Sequence, residues 1–447
     1  MWSWCTTIDA GRMSTRVSIL VWLLVTALVG GYGVYRLRSQ DQTVYLPGAT
    51  SHGHYQIEMA CNQCHTPFGG VSNDKCLKCH AQARETADSH PKTKFDDPRN
   101  AAQLAKIDAT RCVTCHAEHW PAGTHREGYS LPIDFCVECH ADVGTERPSH
   151  AGMSFSTCSD AGCHNYHDNR SLWEDYLKQH IGEPPTLAEA HVLVRGVKPG
   201  ADQPGLLTAK DADTPPTVAV AAVLVNEWAA SGHAKGGVNC TGCHGGIASP
   251  WVKNPSGNVC ERCHEEQGHG IRQGRHGMRL AVGFDPMKPS MARLPMKPES
   301  ADRQIGCSSC HTAHSYDARM AAAGSCPNCH DDEHTRNYDR SAHYKTWLAE
   351  ATGKAPPGTG VSCATCHLPR RKHPSNGLTV VDHNQNSNLR PSDKMIRDVC
   401  INCHGAAFSI DSLADPDLVR QNFAGRPTKH IATIDMVEKR EVGRKPK

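Results

Sequence analysis

Residues 112–119 read CVTCHAEH: two cysteines three apart, a histidine directly after the second, and another histidine three residues further on. The five-residue pattern C-x-x-C-H recurs at Cys61/Cys64/His65, Cys76/Cys79/His80, Cys136/Cys139/His140, Cys240/Cys243/His244, Cys260/Cys263/His264, Cys307/Cys310/His311, Cys326/Cys329/His330, Cys363/Cys366/His367 and Cys400/Cys403/His404. With Cys112/Cys115/His116 that makes ten copies, and an eleventh is stretched, Cys158-Ser-Asp-Ala-Gly-Cys163-His164. Twenty-two of the 23 cysteines fall into these pairs, and Cys5, which stands alone, is read as incidental.

Two thiols one turn apart can form thioethers with both vinyl groups of one haem edge, and the adjacent imidazole then reaches the iron as proximal ligand. Structural zinc also uses cysteine and histidine, but it has no need of a histidine directly after the second cysteine. Disulfide geometry has no use for that imidazole either. The motifs therefore indicate eleven covalently attached haems c, with the paired cysteines as attachment points and the motif histidines as iron ligands. The rest of the composition fits, because only 38% of the 447 residues are hydrophobic, with 7 Phe and 8 Trp. Large apolar macrocycles would supply the buried surface that the side chains lack, so the chain is not expected to fold without them. The expected fold is mainly α and coil with very little strand around a haem-packed core, since no alternating apolar run is long enough for a sheet.

Residues 17–35, VSILVWLLVTALVGGYGVY, are nineteen uncharged and mostly apolar residues, close to the roughly twenty that cross a bilayer as a helix. A cleaved signal peptide is the competing reading. No small-x-small site follows the run, and Arg36 and Arg38 come directly after it, which favours an uncleaved N-terminal transmembrane helix. Arg12 and Arg16 on one side and Arg36 and Arg38 on the other leave the orientation open by charge alone. Met13 is a second plausible start.

Motif spacing divides the chain: five motifs lie between Cys61 and His164, none between His164 and Cys240, and six between Cys240 and His404. The expected organisation is a cytoplasmic stub and anchor (1–39), a pentahaem module (40–182), a linker (183–225), a hexahaem module (226–431) and a charged tail (432–447) read as disordered. Pro184, Pro185, Pro199, Pro204, Pro215 and Pro216 mark the linker, and VAVAAVLVNEWAA over 218–230 predicts a helix leading into His233. His54 precedes Cys61 by seven residues and His233 precedes Cys240 by seven, so the modules open alike.

Over about residues 50–431 the motifs resemble the multihaem cytochrome c superfamily. CVTCHAEH at 112–119 with HPKTKFDDPRN at 90–100 resembles the cytochrome c3- or c7-like electron carriers. HDDEHTRNYDRSAHYKTW at 330–347, followed by GVSCATCH, is similar to the octahaem hydroxylamine oxidoreductase and tetrathionate reductase group. The resemblance implies haem attachment outside the cytoplasm, hence a protein held in the inner (cytoplasmic) membrane with residues 40–447 in the periplasm. No motif ends in lysine, unlike the catalytic haem of ammonia-forming nitrite reductases. A modified catalytic haem of the hydroxylamine-oxidising kind would need a crosslinking partner such as Tyr338 or Tyr344.

Eighteen histidines remain after the proximal ones, enough to give every iron a second imidazole. His119, His167 and His314 lie three residues after a motif histidine and His334 four after, one helical turn on. As in the cytochromes this chain resembles, such a residue suits the iron of a neighbouring haem. The further candidates are His54, His90 and His150 in the first module and His233, His276, His343 and His373 in the second, with His52, His125, His180, His191, His269, His383 and His430 as alternates. Met287, Met291 and Met296 offer thioethers that would raise a haem's potential, but loop packing is the better account of them.

Three functions remain open at this stage. In the first, electrons pass from a quinol-linked membrane donor to periplasmic or outer-membrane redox proteins, and bis-histidine irons leave no site for substrate. In the second, one second-module iron keeps an open face and acts on a small nitrogen or sulfur compound of the nitrite, hydroxylamine or tetrathionate class. The third, assembly into a conductive filament, has no feature in its favour. A net charge of +2 gives no case for nucleic acid.

Overall fold

The structure, a computed structural model, describes residues 15–39, 42–81, 90, 92–125, 128–158, 166–167, 175–190, 192–194, 206–246, 249–312, 314–389 and 394–442. Among these, the helices of eight residues or more are α1 (Thr15–Arg38), α2 (Ala222–Ala230), α3 (Glu265–Gln273), α4 (Ala342–Ala351), α5 (Ala406–Ala414) and α6 (Ala432–Val442). Strands are confined to two hairpins, β1 (His65–Thr66) with β2 (Gly70–Val71) and β3 (Arg370–Lys372) with β4 (Thr379–Val381). The architecture is thus mainly helix and coil with very little strand.

α1 contains the apolar run and none of its residues is buried by the rest of the chain. At about 1.5 Å per residue it is about 36 Å long, enough by length and composition to cross a membrane. Residues just past its end fold back on it: Tyr45 Oη donates to the Gly33 carbonyl at 2.6 Å and Gln42 Nε2 to the Leu37 carbonyl at 2.9 Å. Gln42 Oε1 also accepts from the Cys61 thiol at 3.2 Å, which ties the helix end to the first motif.

The motifs dictate the local structure around them. Single α or 3-10 turns form at Cys61–Cys64, Cys112–Cys115, Cys307–Cys310, Cys363–His367, Cys326–Asn328 and Cys400–Asn402. The histidine amide closes the turn on the carbonyl of the first cysteine, at 2.9–3.1 Å for His80, His116, His140, His264, His311, His330 and His404. Both thiols thereby lie on one face of the turn. Successive motifs are clasped by polar side chains: Asn73 Oδ1 accepts from the Cys112 amide at 3.0 Å while its Nδ2 donates to the Thr110 carbonyl at 2.7 Å.

Buried apolar side chains are few, and Leu177, Ile396, Ile410, Ile434 and Val437 form one small cluster. That cluster distributes the chain differently from its composition. Residues 175–190 pack on the eleventh motif: Leu177 joins the cluster, the Gly405 amide donates to the Pro184 carbonyl at 3.2 Å and the Leu187 amide to the Cys403 carbonyl at 2.8 Å. Residues 432–442, expected in a disordered tail, are helical as α6, because Ile434 and Val437 lie one turn apart and both insert into the cluster. The helix expected over 218–230 begins at Ala222, and Trp228 anchors it by donating from Nε1 to the Val238 carbonyl at 3.0 Å.

Candidate metal centres

Each of the ten described motif histidines faces a second histidine. Ring centroids are 5.8 Å apart for His80 and His54, and 6.1 Å for His140 and His90, His116 and His167, His264 and His233, and His244 and His314. They are 6.2 Å apart for His330 and His276, His367 and His334, and His404 and His343, and 6.4 Å for His65 and His119 and for His311 and His383. A nitrogen about 2.0–2.1 Å from a metal, in a ring whose centroid lies about 1.15 Å behind it, gives about 6.3–6.5 Å across two opposed imidazoles. The observed distance holds within 5.8–6.4 Å while the angle between ring planes runs from 5° to 85°. Ring packing couples distance to angle, whereas an atom shared on the axis leaves each ring free to turn. Among the described residues no three His, Cys, Asp or Glu side chains converge as a bare ion would need. The pairs therefore suit a haem iron, whose macrocycle supplies the four equatorial nitrogens.

Nδ1 of several of these histidines is engaged, which leaves Nε2 for iron, although at His334 the Asn422 amide also stands 3.2 Å from Nε2. Nδ1 meets a backbone carbonyl at His116 (Gly128, 2.9 Å), His119 (Gly48, 2.8 Å), His90 (Tyr166, 2.9 Å), His244 (Val252, 2.7 Å), His334 (Val419, 2.5 Å), His383 (Val381, 3.0 Å) and His404 (Pro185, 2.7 Å). His54 Nδ1 instead meets the Glu118 carboxylate at 2.6 Å. Burial would raise the Glu118 carboxyl, but hydrogen bonds from His54 and Ser51 outweigh it and hold the group at about 2. Burial, then the facing histidine, lowers His276, His343 and His367 to about 4, favouring the neutral form that binds metal.

All 21 described cysteines are free of disulfides. Burial pushes the Cys136 and Cys366 thiols up to about 11, whereas interaction with Cys307 lowers Cys260 to about 6. Thiols of different motifs lie near enough to shift one another's protonation, Cys76 with Cys112, Cys136 with Cys158, Cys260 with Cys307 and Cys326 with Cys363. Neighbouring centres are therefore close. Between the third and fourth motifs the link is Tyr166, whose ring stacks on His90 at 4.1 Å and meets His167 at 5.2 Å.

The second cysteines Cys79, Cys263 and Cys329, like Cys403, sit in a tighter turn than an α-helical one. The first three lie just beyond helical segments that end at Leu77, Glu261 and Asn328 respectively. The physical reason is a tightened last turn, in which each amide donates three residues back, to the Cys76, Cys260 or Cys326 carbonyl, at 3.2 Å. Cys79 and Cys263 are exposed and Cys329 is half-buried. Each still lies near enough to the second cysteine of the preceding motif to act on it electrostatically, Cys79 on Cys64, Cys263 on Cys243 and Cys329 on Cys310.

Each of the four histidines one turn after a motif histidine faces a motif other than its own: His119 the first, His167 the third, His314 the sixth and His334 the tenth. One candidate ligand is corrected. His373 faces no motif histidine; its Nε2 lies 3.4 Å from Glu266, and His383 stands opposite His311 instead. The β3–β4 hairpin is the reason, since it turns the chain at His373 and delivers His383 to the motif. Of the other alternates, His180 pairs with Glu183 at 2.6 Å, His125 stacks on Tyr129 at 4.7 Å and His430 bridges Asp411 and Asp435. At the fifth motif, His150, Met153, Phe155 and Cys158 line a cavity of about 300 Å³. Cys163 and His164 lie outside the described residues, as do Cys5, Met13 and His191.

Residues 53–141 match the cytochrome c3 family, a stretch that runs from His54 through the fourth motif. No curated protein matches the chain.

Proposed function

We propose, from the match of residues 53–141 to the cytochrome c3 family, that this part of the chain is a multihaem electron-transfer cytochrome with covalently bound haem c. We propose that the whole chain is an undecahaem cytochrome of this kind, anchored by α1, with its haem modules in the periplasm. It would conduct electrons from a quinol-linked membrane donor to periplasmic or outer-membrane redox proteins. Haem iron supplies reversible one-electron chemistry when bound. The protein's part is to hold each iron between two imidazoles, orient them through Nδ1 and keep neighbours close through adjacent motif turns.

The observation that carries this reading is the second histidine opposite every described motif histidine. An oxidoreductase would need an iron with one face open. In the second module the histidines of all six motifs have partners, His314, His233, His383, His276, His334 and His343, so the geometry favours conduction. The bonds from Gln42 to Leu37 and from Cys61 to Gln42 support electrons entering at the first motif, beside the end of α1. Addition of cyanide, nitrite or hydroxylamine to the oxidised protein should leave its haem spectrum unchanged. A stoichiometric shift to a ligand-bound form at one iron would count against a pure conductor and for the oxidoreductase.

A further inference from the structure

The two halves of the molecule meet where each presents the flanks of a candidate ligand. Arg275 and Arg279 bracket His276 in sequence. Arg275 Nη1 donates to the His52 carbonyl at 3.1 Å and Arg279 Nη1 to the Gln56 carbonyl at 3.0 Å, and those two carbonyls bracket His54. Between them the Arg293 guanidinium lies over the Tyr55 ring, 4.3 Å from its centroid. Three residues beyond Arg293, Met296 is bridged to His330, the motif histidine that faces His276. Lys394, also from the second half, lies near enough to His80 to act on it electrostatically. Both ligands of the ninth motif and both ligands of the second are thus adjacent to the contact.

Two features make this contact a fixed brace. Arg279 is held on its own side as well, with Nε donating to the Asp285 carbonyl at 3.0 Å and the guanidinium 5.2 Å from the Phe284 centroid. Its acceptors across the contact are backbone carbonyls, so the register is set by main chain and not by mobile carboxylates. A planar guanidinium with several donors serves two such acceptors at once.

We propose that the second and ninth motifs form the electron junction between the two halves, with Arg275 and Arg279 as positioning residues that hold the His54 and His276 sites against each other. The inference rests on the bis-histidine reading above and adds the route. With haem bound at both sites, one electron would pass from the site held by His54 and His80, which would be oxidised, to the site held by His276 and His330, which would be reduced, and no proton or other atom would move.

A double-mutant cycle on the full-length, haem-loaded protein in detergent tests it. His54→Met and His276→Met each replace an imidazole by a thioether and should raise the potential of one site. In the double variant the shifts should depart from the sum of the single ones, because neighbouring centres feel each other's charge. His54→Met combined with His314→Met, at the sixth motif, should be additive. Additivity in both pairs overturns the junction, whereas single variants that shift no potential overturn the ligand reading beneath it. If a methionine variant loses haem, Arg275→Ala/Arg279→Ala with its full haem complement provides the second measurement. After a pulse adding less than one electron per molecule, redistribution among the haems should slow severalfold in this variant, and an unchanged rate overturns the proposal.

Discussion

Residues 54–119 and 233–314 are wired alike. In each, the histidine seven residues before the first motif faces the second motif (His54 with His80, His233 with His264), and the histidine one turn after the third motif faces the first (His119 with His65, His314 with His244). Even the thiol proximities repeat, with Cys76 near Cys112 and Cys260 near Cys307. The difference lies behind the second motif's partner. His54 is backed by the Glu118 carboxylate at 2.6 Å, whereas His233 lies against the Tyr316 ring at 4.2 Å. Two residues after His311, where the first unit has Glu118 after His116, the chain carries Ala313. Motif spacing therefore fixes which histidines meet, and the residues between motifs tune what the centre does. A carboxylate makes the imidazole a stronger donor and favours the oxidised metal, so the second motif should hold its electron less tightly than the seventh. Electrons would then fall from the first half toward the second.

The comparison breaks most visibly if the wiring is wrong. His54→Ala and His233→Ala should each convert one low-spin centre to high spin, at the second and seventh motifs respectively, in the electron paramagnetic resonance spectrum. His119→Ala and His314→Ala should do the same at the first and sixth. A variant that instead disturbed the centre beside it in sequence would undo the equivalence.

The surroundings differ in stability as well as in charge. Leu177 and Ile396 are 0% and 1% exposed in the apolar cluster beside the eleventh motif, and no such cluster lies between residues 54 and 119 among the described residues. Leu177→Ala or Ile396→Ala should cost about 2–5 kcal/mol, read as earlier chemical unfolding of the second half alone. Equal loss in the first half would show that the halves unfold as one.

Glu118→Gln sharpens the same comparison. Exchanging a hydrogen bond to a charged group, about 1.5–3 kcal/mol, for a neutral one, about 0.5–1.5 kcal/mol, should raise one potential by roughly 40–65 mV, measured by redox titration. An unmoved potential would remove the stated cause of the difference between the units.

The smallest effect concerns α6. Hydrogen bonds to Asp411 and Asp435 raise His430 from the ordinary 6.5 to about 9. Because the folded state binds this proton more tightly, the stabilisation is complete below pH 6.5, fades as pH rises toward 9 and is gone above it. Amide exchange in α6 should accelerate over that interval beyond the intrinsic pH effect, and His430→Ala should abolish the excess. The ring is half exposed, so the effect is modest.

The motifs were legible because thioether attachment needs one spacing, and the histidines one turn on were legible because i and i+3 share a helix face. His383 was not legible, since three-residue strands such as RRK and TVV carry no periodic signal and only the hairpin brings that residue to His311. Pro184 and Pro185 read as a linker by composition, yet their carbonyls accept from Gly405 and His404. Proline lacks a donor but not an acceptor. In α6, two apolar residues in a charged segment suffice for docking, a signal too sparse to separate from a disordered tail.

The most direct test is to count irons and spin states together in the purified protein, by pyridine haemochrome assay and quantitative electron paramagnetic resonance. Paired imidazoles at every motif predict eleven haems per polypeptide, all low spin when oxidised. Markedly fewer haems, or a stoichiometric high-spin signal from the intact protein, would contradict it.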